Sequence, residues 1–474
     1  MPVPGDKILG AVLPLWSAAP FFGLLLSIAL MPLAAPRFWH DHFGKISAFW
    51  GFLAFVPLAA IYGRPALESF LGMMLNEYLP FIILLGALYA ISGGILITGK
   101  PRGTPGSNVV MLLAGTLLAS LMGTTGAAML LVRPVLRANA ERQERALVMV
   151  FFIFLVANVG GALTPLGDPP LLLGFLKGVP FFWTLRLLPH MLLATGVLLA
   201  VYYVADRRIY KAEREKKIAS GWAAACSQPE EGKSGQTGRP LGLRGAQNFV
   251  FLIAAVGALI TAERISLGGV GFLGVRIGVS AVMRDLVILI AGACSMLFTP
   301  RDIRDENGFT WLPMKEVALI FAGLFVSMAP CLDILQAGAA GHLGFLVRAV
   351  KWPFHYFWAT GALSSFLDNA PAYLAFFKAA LGSFHPGTGG PHAVALLVSR
   401  HPVYLEAVSA GAVFFGAFTY IGNAPNFMVR SIAEETGVPM PGFLGFMIKY
   451  SLPILVPLFI LETLVFFRWG IFFR

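Results

Sequence analysis

Charge is scarce in this sequence. Only 12% of its 474 residues are Asp, Glu, Lys or Arg, about half the roughly 25% of an ordinary soluble protein. Cysteine is scarcer: Cys226, Cys294 and Cys331 stand apart with no CxxC spacing, which argues against a disulfide framework or a zinc site. The chain has no Walker phosphate loop, so it is not expected to hydrolyse ATP. No HExxH or Ser/His/Asp arrangement stands out, and no enzyme activity or cofactor is expected. What the chain has in quantity is apolar: 57% hydrophobic residues, 40 Phe and 9 Trp, with a mean hydropathy of +0.76. A soluble chain of this length would divide into two or more domains. Here the same length supplies about ten membrane crossings of about 20 apolar residues each.

The net charge of +11 does not point to nucleic acid, because the basic residues lie between apolar runs rather than on one face of a soluble domain. That is the positive-inside pattern. The first run, 13–33, follows a single lysine, Lys7, without a small-residue cleavage site, and reads as a retained span. Apolar length places crossings at about 13–33, 46–63, 77–97, 145–177 and 183–205, then at 246–262, 281–299, 315–333, 403–435 and 443–468. Two further stretches are interrupted. The 107–139 stretch breaks at GTTG (123–126) and 352–384 breaks at DNAP (368–371). Pieces of about 15 residues are too short to cross roughly 30 Å, so each stretch reads as a re-entrant hairpin.

The halves share this plan, giving a first repeat at 1–205, a linker at 206–245 and a second repeat at 246–474. The expected fold is an all-α polytopic membrane protein with five spans, one of them broken, and one hairpin per repeat. GALTPLGDPP at 161–170 aligns without a gap on GAFTYIGNAP at 416–425, and SLMGTTG at 120–126 on SFLDNAP at 365–371. Five crossings per half is odd, so the second copy enters the membrane inverted, an arrangement that points to a transporter site at the paired breaks. Placing the linker in the cytoplasm puts about 21 of the 35 basic residues inside, with both termini outside the cell. The Gly/Ser/Lys/Glu-rich linker is expected to be flexible.

The breaks carry the chemistry. Freed backbone groups in hydrocarbon cost several kcal/mol each, so a break persists only where protein or a wet cavity satisfies it. Asp168 and Asn423 are placed to cap the following half-helices, and half-helix ends attract ions. Asp168 and Asp368 are the carboxylates in these motifs, and an intramembrane carboxylate is functional by default. Other polar residues read as structural. His190 and His355 read as hydrogen-bonded packing, Arg284 and Asp285 as a local pair, and Glu77, Asp333, Lys449 and Arg186 as span-end snorkelling. Lys378 reads as a counter-charge for a carboxylate.

At NVGGALTPLGDPP (158–170), SSFLDNAP (364–371) and YIGNAPN (420–426), the chain resembles the ion transporter superfamily. That group includes NhaD-type sodium/proton antiporters, arsenite permease-like proteins and citrate or dicarboxylate carriers. The resemblance implies hairpins and broken helices that meet near the midplane, scaffold helices that often form a homodimer, and a place in the cell inner membrane. By motif, the cation site would draw on Asn158, Thr164, Asp168, Asp368, Asn369, Asn423 and Asn426. Asp168 and Asp368 would hold Na⁺, with Thr124 and Thr125 at the first hairpin tip. Dicarboxylate carriers have Ser-Asn-Thr at their tips, and this chain departs from that pattern. With two aspartates repelling a polyanion, the expectation is sodium/proton antiport, with Na⁺ and H⁺ as the coupled ions. The alternative is cation-coupled citrate or dicarboxylate symport. A non-transporting scaffold or channel is disfavoured by the paired breaks. The expected partners are the bilayer, small inorganic cations and, in the alternative, carboxylate anions, with no nucleic acid.

Overall fold

The computed structural model describes residues 12–99, 102–219, 242–265, 267–337, 342, 349–384 and 391–468. Its architecture is all-helical apart from two short antiparallel ribbons. Among the described residues, nine helices are long and apolar enough to cross a membrane, and the chain is a multi-pass membrane protein.

The first α-helices among the described residues are α1 (Ala19–Ala34), α2 (Pro36–Tyr62) and α3 (Arg64–Gly93). One π-turn at Met74–Tyr78 interrupts α3, the kind of local bulge that often marks a functional position. Next come α4 (Pro105–Met122) and α5 (Thr124–Ala138). Thr104 caps α4 by accepting the Ser107 amide at 3.2 Å, and Pro105 at the first helical position needs no donor there. The 18 residues of α4 measure about 27 Å at 1.5 Å per residue. This arm is therefore longer than the 15-residue piece expected from sequence, and it ranks among the nine candidate spans.

Then come α6 (Ala146–Leu155) and α7 (Pro169–Leu176), separated by a 3₁₀ turn at Val159–Leu163, and α8 (Leu188–Ala219). The span Ala146–Leu163 is 83% buried against 22% for Arg37–Tyr62, so the broken helix is central and α2 peripheral. The linker is not wholly irregular. Helix α8 runs through its first third, and Gly242–Arg244 pairs with Leu96–Thr98; residues 220–241 lie outside the described residues. Arg244 is ion-paired to Asp302 and Glu306, and its hydrogen bond holds the exposed Asp302 carboxyl below the usual carboxylate range.

The remaining helices are α9 (Asn248–Arg264), α10 (Val279–Phe298), α11 (Arg301–Glu306), α12 (Leu312–Gln336), α13 (Pro353–Phe366), α14 (Asn369–Phe384), α15 (Pro391–Arg400), α16 (Pro402–Phe415), α17 (Ala424–Glu435) and α18 (Phe443–Phe467). Two crossings expected from sequence are short here, at Asn248–Ala262 and Pro402–Phe418. Two of the snorkelling assignments are corrected. Glu77 is buried and ion-paired to Lys177, while Asp333 accepts the Ser69 hydroxyl at 3.0 Å. His190 is buried at 3.0 Å from Glu462, a hydrogen-bonded packing role as read.

Candidate functional site

The two breaks have nearly the same backbone. After its 3₁₀ turn, each chain passes through an extended threonine, Thr164 (φ −140°, ψ 157°) and Thr419 (φ −135°, ψ 169°). Each then reaches an extended residue ahead of the next helix, Asp168 (φ −145°, ψ 143°) and Asn423 (φ −154°, ψ 138°). The threonines use their hydroxyls alike. Thr164 Oγ1 donates to the Ser120 carbonyl, and Thr419 Oγ1 donates to the Ser365 carbonyl at 2.6 Å. These bonds tie each break to the neighbouring helix pair, α4–α5 or α13–α14. Neither serine counted among the expected site residues, although the gap-free alignment already equated Ser120 with Ser365 and Thr164 with Thr419.

Asp168 and Asn423 occupy cap positions, but their side chains do not cap. A capping side chain needs an amide at the second or third helical position. Pro170 and Pro425 remove the second, and the third, on Leu171 and Asn426, bonds to the Asp168 and Asn423 carbonyls at 3.1 and 3.0 Å. The freed side chains turn inward and meet. Asp168 Oδ1 accepts from Thr124 Oγ1 at 3.1 Å and from Asn423 Nδ2 at 3.0 Å. Its Oδ2 accepts from Asn369 Nδ2 at 2.5 Å. The cluster extends through Asn423 Nδ2 to Asn158 Oδ1 at 3.2 Å, and through Asn158 Nδ2 to Asn426 Oδ1 at 2.7 Å. Asn426 Nδ2 in turn donates to the Gly416 and Thr419 carbonyls at 2.7 and 2.9 Å.

Asp168 is only 1% exposed, and Asn158, Asn369 and Asn426 are fully buried. Three neutral donors therefore face a carboxylate inside the protein. Asn369 Oδ1, also buried, meets no donor. Close approach of the chains needs glycine. A Cβ on Gly161 would lie 2.8 Å from both Asp168 Cβ and Thr124 Cγ2, and one on Gly416 would lie 2.7 Å from Asn158 Oδ1.

Of the expected site residues, the structure gathers Asn158, Asp168, Asn369, Asn423 and Asn426 with Thr124, and sets Thr164 in the supporting layer. Asp368 stands beside the cluster rather than in it: its Oδ1 accepts the Ala370 amide at 3.1 Å. It acts on Asp168 through space. Thr125 lines an open cavity that also touches Tyr89, Thr124, Gly126, Gly167 and Met314. Helices α5, α7 and α17 all begin at this cavity, with Thr124, Pro169 and Ala424 in its wall. Among the described residues, no group of three or more His, Cys, Asp or Glu is placed to hold a metal ion.

Residues 10–467 match the CitMHS_2 family, described as "Putative citrate transport". An uncharacterized transporter of Mycobacterium bovis is 25% identical over 349 residues, covering 72% of each chain. An uncharacterized transporter of Mycobacterium tuberculosis matches with the same identity and coverage. The family match favours the carboxylate alternative over sodium/proton antiport as the reading of this site. The chain belongs to the citrate transport family within the ion transporter superfamily, and is a secondary transporter rather than an enzyme.

Proposed function

We propose that this transporter carries a citrate-like carboxylate, coupled to a cation held at Asp168. The observation that carries the reading is how charge is distributed. Among the described residues, the wall of the cavity contains no charged side chain, while the Asp168 carboxylate lies one layer behind it, buried among amides and a hydroxyl. Repulsion between aspartates and a polyanion, which weighed against a carboxylate substrate, is reduced by that separation and reduced further once a cation sits on Asp168. The anion would meet the Thr125 and Gly126 amides of α5 and the Ala424 amide of α17, which lie at the positive ends of their helices.

The cation side has suitable donors. The Asp168 carboxylate, the unpaired Asn369 Oδ1 and the Thr124 hydroxyl are oxygen ligands of the kind hard cations take. Such a cation supplies the counter-charge that three neutral donors do not. Asp368, capping α14 next to Asn369, adds negative potential without being a direct ligand.

The inverted-repeat architecture belongs to the same proposal. Thr124 and Asn369 are the first residues of α5 and α14, occupy equivalent positions in the aligned tips, and bond to the same carboxylate. Two equivalent tips converging on one acidic residue is what paired re-entrant hairpins would produce. The linker then faces the cytoplasm, both termini lie outside, and scaffold helices such as α2 and α10 are available for a homodimer.

Titration of the purified protein with citrate, in Na⁺, Li⁺, K⁺ or Mg²⁺ and in a large organic cation, tests the reading. Citrate should bind saturably only when one of the inorganic cations is present. Citrate binding equally well in the organic cation alone would detach the cation from the mechanism. Failure of citrate to bind under all conditions, with proton release on adding Na⁺, would return the protein to sodium/proton antiport.

A further inference from the structure

Four ionisable side chains outside the binding cluster come together from four helices. Glu77 lies in the π-turn of α3, Lys177 directly follows α7, Asp333 lies in α12 and Lys378 in α14. Lys177 Nζ is ion-paired to Glu77 Oε1, with both side chains at most 15% exposed. Lys378 lies within electrostatic reach of Lys177, Glu77 and Asp333. Glu77 is 8% exposed, and its second carboxylate oxygen meets no donor. Two acids and two bases make a neutral group, but one with an uncompensated oxygen. Buried pairs of this kind add little net stability over apolar packing, while removal of one partner is costly. They suit a contact that must form in one arrangement and part in another.

Position gives the group its meaning. Helices α7 and α14 begin at the binding cluster, with Asp168 and Asn369, and lead to Lys177 and Lys378 about 12–14 Å further along at 1.5 Å per residue. Helices α3 and α12 line the cavity at Leu85, Leu88 and Tyr89 and at Pro313, Met314 and Val317. Glu77 lies 8 residues from Leu85 and Asp333 lies 16 from Val317, roughly 12 and 24 Å away along the helices. The charges therefore lie away from the cavity, Glu77 midway along α3 and Asp333 at the far end of α12. On the cavity side, the residue equivalent to Lys378 in the aligned tips is Arg133. It donates to the Asn307 carbonyl and lies within electrostatic reach of Glu435 and Arg137 instead.

We propose that Glu77, Lys177, Asp333 and Lys378 form the closed gate on the face opposite the cavity, joining α7 and α14 to α3 and α12, and that they must part before that face opens. The proposal rests on the transport reading, but its test reads access and needs no substrate. A cysteine at Leu374, one helical turn closer to the binding cluster than Lys378, is introduced into a chain whose native cysteines are replaced by alanine. A membrane-impermeant maleimide is then applied to reconstituted protein from each side. With the gate intact, labelling from the charged face is slow. Asp333→Asn and Lys378→Gln should each speed it about tenfold, the change for a shift of about 1.4 kcal/mol in the opening equilibrium. The exchanged pair, Asp333→Lys with Lys378→Asp, should restore slow labelling, which mere misfolding of the single variants would not do. Unchanged labelling in both single variants, or an exchanged pair that labels as fast as they do, would overturn the gate. A failure of citrate to bind leaves this result untouched.

Discussion

Asp168 and Asn423 hold equivalent places in the chain but have different duties in the cluster. As caps they would be nearly interchangeable, because Asp and Asn rank alike at that position. In the cluster, Asn423 Nδ2 donates to the Ala157 carbonyl, Asn158 Oδ1 and Asp168 Oδ1, which a carboxylate cannot do. Asn423→Asp should therefore destabilise the protein by at least about 1–3 kcal/mol, the cost of stranding a buried acceptor. Thermal unfolding in detergent reads this, and an unchanged midpoint would reduce Asn423 to a cap. Asn369→Ala removes a hydrogen bond to a charged group, about 1.5–3 kcal/mol. Cation affinity should fall about 10–100-fold while α14 stays capped by Asp368. A cation titration followed by citrate binding checks this, and an unaltered affinity would place the cation elsewhere. The sequence placed both residues and Asp168 in the cation site, but it also made Asp168 and Asn423 caps and Asp368 a ligand beside Asp168. Both assignments depend on side-chain direction, which Pro170, Pro425 and the Ala370 amide decide.

At the scale of elements, the breaks were legible because Gly and Pro interrupt long apolar runs in matched pairs. What the pattern did not show is how closely the broken chains pass. Gly161→Ala would put a Cβ 2.8 Å from Asp168 Cβ and Thr124 Cγ2, a crowding that costs about 1–3 kcal/mol. Gly196→Ala in α8 meets nothing within 4 Å and should be neutral or slightly stabilising, since alanine favours helix by up to about 1 kcal/mol. Comparing the two unfolding midpoints separates crowding from helix propensity, and equal midpoints would contradict the close approach. Element ends were read less well. Helix α3 begins at Arg64 rather than near 77, because charged and polar residues at 64–69 and the π-turn at Met74–Tyr78 disguise one continuous helix. That misreading made Glu77 a span-end residue and hid its pairing with Lys177. Helix α8 likewise continues past its apolar part on a run of helix-forming charged residues up to Ala219.

For the molecule as a whole, composition and hydropathy established the membrane class and the helical fold, since nothing else accommodates 57% apolar residues in spanning runs. The inverted topology is a proposal, drawn from the odd span count expected from sequence and from equivalent tips meeting at Asp168. Cysteines at Arg102 and Ser383 should react from opposite sides of the membrane, because the first hairpin would open to the cytoplasm and the second to the outside. Reaction of both from the same side would remove the inversion. Substrate class was the least legible property. The tip residues differ from those of dicarboxylate carriers, and sequence could not show that the acidic residues lie behind the cavity rather than in its wall. The most direct measurement of the central claim is uptake of labelled citrate into proteoliposomes under an imposed inward cation gradient, for the parent chain and for Asp168→Asn. The account predicts concentrative uptake that collapses when the gradient is dissipated, and an Asp168→Asn protein that folds and inserts but does not accumulate citrate. Gradient-independent uptake by the parent, or full concentrative uptake by Asp168→Asn, would contradict it.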